Sequence, residues 1–185
     1  MKSCRETWEH MTAVTAAGPV RNYIQVIDMS DYEVATELFP RDALRAYTAW
    51  NLELDVGEAD RRFFAENRGG QQGDYRQGTR NKIANVVDCL SRFPASKRAV
   101  ITISNTPDAV HETDADAKCM REIHFYRCDG RLDATVLFRA QAAAIFPKNI
   151  HFIGALMSEI ASRLPGRPRP GQLFYLATML VPDRT

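Results

Sequence analysis

Residue types that do chemistry cluster at the ends of one stretch, Lys118 to Arg139, KCMREIHFYRCDGRLDATVLFR. Cys119 opens it, Arg139 closes it and His124 lies between. An ionised thiol is a nucleophile, and cationic neighbours favour its ionisation. A guanidinium grips anions through paired N–H donors. An imidazole can move protons near neutral pH. Asp129-Gly130 divides the stretch into two strand-forming runs, and this dipeptide is a strong signal for a two-residue hairpin turn. Folding there pairs Arg127 with Leu132, Phe125 with Ala134, Ile123 with Val136 and Arg121 with Phe138, giving a mostly apolar face for a core. Glu122, His124, Tyr126, Asp133, Thr135 and Arg139 fall on the other face. Strict alternation leaves Cys119 and Arg139 on opposite faces. A β-bulge is needed to bring them together.

The elements that must position these residues follow from hydrophobic period and punctuation. Residues 1–18 form a polar lead-in with some helix around Glu6–Val14. Val20–Met29 reads as a strand, and Ser30 or Asp31 caps a helix over Tyr32–Leu38 that stops before Pro40. Asp42–Val56 reads as a helix, or a helix then a strand. Glu58–Asn67 looks helical, and 68–73 (RGGQQG) is a polar loop. Thr79–Phe93 is the clearest helix, with Ile83, Val86, Val87, Leu90 and Phe93 on one face. Arg98–Ser104 is a strand and 106–118 an acidic loop. Ile150–Leu164 is a second helix, ended by the Pro-Gly-rich run 165–171. Gln172–Val181 is a buried strand. Without a regular βαβ rhythm the class is α+β.

The chain has 185 residues, 45% apolar and 25% charged, which suits one soluble domain with a sizeable core. A net charge of +1 gives no footprint for nucleic acid or a membrane surface. No apolar run approaches the roughly 18–20 residues of a membrane span. The lead MKSCRETWEHM lacks an apolar signal core, so the expected location is cytoplasmic. Cys4, Cys89, Cys119 and Cys128 have no metal-ligand spacing and are expected to be free thiols.

Three ordered blocks resemble the thymidylate synthase family. The first is DCLSRFPASKRAVITISN (Asp88–Asn105), a helix ending in proline, a basic pair, then a strand. The second is Cys119–Arg139, whose spacing from cysteine to Gly130 to arginine equals the family's spacing from nucleophile to hairpin glycine to phosphate-binding arginine. The third is FPKNIHFIGALMSEIASRLPGRPRPGQL (Phe146–Leu173). The likeness covers residues 74–181 of a single domain 1–185; nothing upstream aligns. It implies a mixed sheet with helices on one face, dimerising through the sheet. It also implies an enzyme, a transferase, that adds a cysteine to C6 of a pyrimidine nucleoside monophosphate so that C5 attacks a one-carbon donor such as methylenetetrahydrofolate. A role in specialised metabolism is expected, and hydroxymethylation, as in the cytidylate hydroxymethylase branch, is the version to test first. Carried over by position, Cys119 is the nucleophile, Arg139 a phosphate ligand and Asn149 the base reader. Arg98 is the residue that reaches the partner's phosphate, and His124, in place of a glutamine, is a candidate proton shuttle.

The departures fall mainly on the cofactor side. Met120 replaces a histidine, and Lys97 an arginine. Arg139-Ala140-Gln141-Ala142 stands for an arginine-serine-x-aspartate block, so Ala142 replaces the aspartate that contacts folate. The late aspartate-x-histidine-x-tyrosine motif has no counterpart. Ordinary roles compete at each position: a structural thiol at Cys119, solvated charges at Arg98 and Arg139, a half-buried pair for His124 with Tyr126, and a helix N-cap at Asn149. Two other functions stay open: a catalytically silent binder of nucleotide or partner, and a thiol enzyme with a different substrate.

Overall fold

The computed structural model describes residues 1–64, 75–104 and 118–183. In chain order the elements are β1 (Lys2–Ser3), α1 (Cys4–Thr15), β2 (Val20–Asp28), α2 (Arg41–Asn51), the single turn α3 (Glu58–Arg61), α4 (Thr79–Arg92), β3 (Val100–Thr102), β4 (Met120–Cys128), β5 (Arg131–Phe138), β6 (Gln141–Ala142), α5 (Phe146–Arg163) and β7 (Arg169–Val181). A 3-10 turn, Ala143–Ile145, leads into α5. The strands form one open sheet in the order β1-β2-β7-β5-β4-β3, with β6 beside the end of β7. β2 is antiparallel to β7, β7 is parallel to β5, and β4 is antiparallel to both β5 and β3. The class is therefore α+β with a mixed sheet.

The apolar run QLFYLATMLV is the central strand, and α5 is the crossover that a parallel β5–β7 pair requires. Ile150, Ile153, Leu156, Met157 and Ile160 of α5 are all essentially buried. At about 1.5–3 kcal/mol for each fully buried side chain, this stripe outweighs any propensity term in holding the crossover on the sheet. Ile83, Val86 and Leu90 of α4 and Met11 of α1 complete the core on the same face. The other face is open: Ile24 is 52% and Tyr126 41% exposed. No described helix is long and apolar enough to cross a membrane.

Several expectations need correction. The lead-in is a structural element: α1 carries a Ser3/Glu6 capping box and buries Cys4, Thr7, Met11 and Thr15. No helix forms over Tyr32–Leu38. There Asp28 and Asp31 accept the Ser30 and Glu33 N–H groups at 2.9 and 3.0 Å, side-chain bonds that compete with a helical ladder. The segment is then pinned by burial of Val34 and Phe39. The helix α2 ends at Asn51; among the described residues no strand follows it directly, and one helical turn forms after Gly57, with residues 65–67 of the expected helix outside them. The loops expected at 68–73 and 106–117 lie outside the described residues. α5 begins at Phe146, four residues earlier than the apolar period alone suggested, because Pro147 suits a first helical turn.

Candidate active site

The hairpin turns at Asp129-Gly130, both with positive φ, and the pairs Arg127–Leu132, Phe125–Ala134 and Ile123–Val136 form as expected. The Arg121–Phe138 pair does not. A bulge between Met120 and Glu122 shifts the register, so Met120 pairs with Phe138. The ladder then continues with the Arg139 N–H donating to the Cys119 carbonyl at 2.8 Å. One extra residue thus sets Cys119 directly beside Arg139. Cys119 packs against the core on the helix-bearing side.

Two tyrosines report that environment. Burial, and after it the nearby Cys119, push the Tyr75 phenol far above its ordinary range, against a smaller pull from Arg139. Burial does the same to Tyr175, with Tyr75 and then Cys119 adding to it. Both hydroxyls therefore stay protonated and remain donors. The Tyr175 hydroxyl donates to Gln141 Oε1 at 2.8 Å, and Asn149 Nδ2 donates to the same oxygen at 2.9 Å. Gln141 Nε2 donates to the Ala142 carbonyl at 2.6 Å. That last bond fixes which end of the Gln141 amide points back, and so commits Asn149 Nδ2 as a donor. Among the described residues Asn149 Oδ1 is left buried with no hydrogen-bond partner. A buried acceptor without a donor costs about 1–3 kcal/mol. A ligand N–H would relieve it.

Asn149 is not an N-cap. It is the fourth residue of α5, whose N-cap position is Ile145, and its amide faces β6 and β7. His124 is not brought to the thiol. It pairs with Thr135 on the open face, is 47% exposed, and its Nε2 lies 3.3 Å from Glu122 Oε1. There it lines a groove of about 660 Å³ with Lys97, Tyr126 and Leu137. Arg98 is also exposed, just before β3. Since Val100 pairs with His124, Arg98 lies about 20 Å along the sheet from the Cys119 of its own chain, at about 3.3 Å per residue.

A cleft of about 320 Å³ is lined by Tyr75, Gln77, Lys82, Thr102, Ile103, Ser104 and Lys118, the residue before Cys119. The Ile103 N–H bonds the Arg121 carbonyl at 2.8 Å, which runs the β3–β4 ladder on to the residues flanking Cys119. Tyr75 accepts a long 3.4 Å bond from the Met120 N–H. Sequence reasoning missed Tyr75, Gln141, Tyr175 and Lys82 as site residues. A tyrosine in an otherwise apolar central strand was the one usable signal, because a buried phenol needs a partner.

The position where the resemblance puts a folate-binding carboxylate is occupied by Ala142, 5% exposed in β6, whose carbonyl already accepts from Gln141. Ala142 offers no carboxylate to a folate at that position. Among the described residues no group of three or more His, Cys, Asp or Glu is placed to hold a metal ion. No family model matches the chain and no curated protein matches it.

Proposed function

We propose that the chain is a divergent enzyme of the thymidylate synthase kind that binds a pyrimidine nucleoside monophosphate and activates C5 of its base through Cys119. The observation that carries this reading is the buried, unpartnered Asn149 Oδ1, wired through Gln141 and Tyr175 to the surroundings of the adjacent Cys119 and Arg139. Arg139 would hold the phosphate, and Asn149 would accept an N–H of the base. The Cys119 thiolate adds to C6, and the C5–C6 electron pair becomes a carbanion at C5, delocalised as an enolate onto the C4 oxygen of a uracil or as the corresponding enamine in a cytosine. C5 then takes a proton, or a one-carbon electrophile at the formaldehyde level as in hydroxymethylation. Loss of the original C5 proton and expulsion of the thiolate restore the ring. Ala142 supplies no carboxylate for a folate, and no step is assigned to that carrier.

The working unit would be a homodimer. Ile24, Val26, Leu137, Phe174 and Leu176 share the open sheet face through the β2–β7 and β5–β7 registers, and a second copy would cover them. Arg98, too far from its own thiol, would then serve the partner's phosphate.

Exchange of C5 hydrogen with solvent needs only thiolate addition and reversal, and no carbon donor. Wild-type protein given C5-tritiated pyrimidine nucleoside monophosphates should release label to water. Cys119→Ala should release none, and Arg139→Ala should bind weakly. A ligand at a hundredfold excess over its Kd adds about 2.7 kcal/mol of stability, which at about 2–4 °C per kcal/mol is a rise of roughly 5–10 °C in Tm. Neither release nor a thermal shift with any such nucleotide would overturn the reading.

A further inference from the structure

The outer side of α5 carries a polar site that the C5 chemistry does not use. His151 follows Asn149 by two residues, about 200° further round the helix, and so faces α2 rather than β6 and β7. It is 7% exposed, and its Nδ1 lies 2.6 Å from Thr48 Oγ1. The ring also lines a pocket of about 370 Å³ with Ser30, Asp31, Tyr32, Glu33 and Arg45, and it is the only buried member of that set. The walls come from three elements: the segment after β2, α2 and α5. The volume is that of a small-molecule site.

Thr48 fixes what the imidazole can offer. The other described helical threonines, Thr7, Thr12, Thr15 and Thr79, each donate to the carbonyl four residues back, at 2.7–3.0 Å. Thr48 does not; among the described residues its hydroxyl has His151 Nδ1 as its one partner. A buried O–H that reaches no acceptor is costly, so Thr48 donates and Nδ1 accepts. Burial, the largest influence, lowers the His151 pKa and keeps the ring neutral near pH 7. Its one N–H is then on Nε2. No described residue accepts from that N–H, although the ring is almost wholly buried.

The charges around the pocket balance without joining. Arg41 holds Glu33, Nε to Oε1 at 2.5 Å, and Asp31 Oδ1 accepts the Glu33 N–H at 3.0 Å. Arg45 makes no ion pair with a described residue. Asp31 and Glu33 share this pocket with it, and Asp42, Asp55 and Asp60 share a neighbouring hollow. Glu33 and Arg45 both act on the His151 ring, with opposite sign. A lone anion would meet these carboxylates as well as Arg45, and a lone cation would meet the guanidinium. A molecule carrying both charges satisfies both walls, and a cavity of this size requires those charges to be only a few atoms apart.

We propose that this pocket binds a small zwitterion of the α-amino acid type. Its carboxylate takes the His151 Nε2–H and the Arg45 guanidinium, and its ammonium lies toward Asp31 and Glu33. The site is separate from Cys119 and does not depend on the nucleotide reading.

Long-range nitrogen–proton NMR spectra of the four imidazoles test it, with His151→Gln used only to assign the His151 signals. In the free protein the proton should be on Nε2. A panel of the common amino acids is then titrated while the Nε2 resonance is followed. At least one should shift it saturably at millimolar concentration. The amide and the N-acetyl derivative of that amino acid, each lacking one of its charges, should bind at least about tenfold more weakly. Arg45→Gln and Asp31→Asn, both at exposed positions, should keep the fold and each weaken binding about three- to tenfold. A proton on Nδ1 in the free protein, no shift with any amino acid, or equal binding by either derivative overturns the proposal. Failure of the nucleotide reading would instead appear as absent C5 exchange with amino acid binding intact.

Discussion

Replacing Gln141 by Leu tests whether the polar network under the site is a single unit. Gln141 is 2% exposed and links three groups: the Tyr175 hydroxyl, the Asn149 amide and the Ala142 carbonyl. Leu fills similar space but offers no polar atoms. The phenol at 2.8 Å and the amide at 2.9 Å would lose their shared acceptor inside the core. At about 1–3 kcal/mol for each buried group left unsatisfied, partly relieved by local adjustment, the expected loss is roughly 3–6 kcal/mol. For a chain of this size that corresponds to a fall in Tm of roughly 10–20 °C.

Tyr175→Phe alone should cost less, about 1–1.5 kcal/mol, because Gln141 keeps its bond from Asn149. In the double variant the orphaned hydroxyl is gone, so the combined loss should fall short of the sum by about 1–3 kcal/mol. Urea unfolding of the wild type, both single variants and the double variant measures this directly. Additivity within about 0.5 kcal/mol would refute the network, and with it the argument that Asn149 is committed as a donor on one side and an acceptor on the other.

Gly154→Ala should destabilise, although alanine favours a helix by about 1 kcal/mol. The new Cβ would lie 2.0 Å from Tyr32 Cγ, so the loss in a thermal melt should be at least about 1–3 kcal/mol. His151 is 7% exposed, accepts or donates a 2.6 Å bond with Thr48, and burial lowers its pKa below the ordinary 6.5. The unfolded chain therefore binds the proton more readily, so stability should fall as pH drops below about 6.5 and stay flat above it. That slope should flatten in His151→Gln. If Arg98 serves the partner's site, mixing Arg98→Ala with Cys119→Ala subunits should recover about one quarter of wild-type C5 label release, from the single intact site of each mixed dimer. No recovery after subunit exchange would refute the shared site.

The parts of the fold governed by period and punctuation were legible in the sequence. Asp129-Gly130 fixed the turn, and with it the register of Arg127–Leu132 through Ile123–Val136. The Ile83–Leu90 and Ile150–Ile160 stripes marked the two core helices. What could not be read was decided by competition between local and distant partners. Tyr32–Leu38 has caps and helix formers, yet Asp28 and Asp31 satisfy its backbone locally while Val34 and Phe39 are drawn into the core. Asn149 after Pro-Lys looked like a cap because nothing local reveals that the 3-10 turn at Ala143–Ile145 has already started the helix. Gln141 was visible only as a departure from a motif, and its role needs Tyr175, which lies more than thirty positions away.

The bulge after Met120 sorts the candidate residues into two groups that one chain does not unite. It pairs Cys119 with Arg139 along the backbone and Cys119 packs against the core, while His124 and Tyr126 remain on the open face of the same strand. A side chain cannot pass through a hydrogen-bonded sheet, so no rotamer of His124 reaches the thiol of its own chain, and Arg98 is excluded by distance along the strand. Chemistry that used only one chain would therefore draw on Cys119, Arg139 and Asn149, with the hydroxyls of Tyr75 and Tyr175 in the surroundings of the thiol. Chemistry that used both groups would require a second copy lying on the open face. The row Ile24, Leu176 and Leu137 gives that face the apolar character such a contact needs. The complementation measurement separates these two cases, because subunits that each carry a complete site cannot rescue one another.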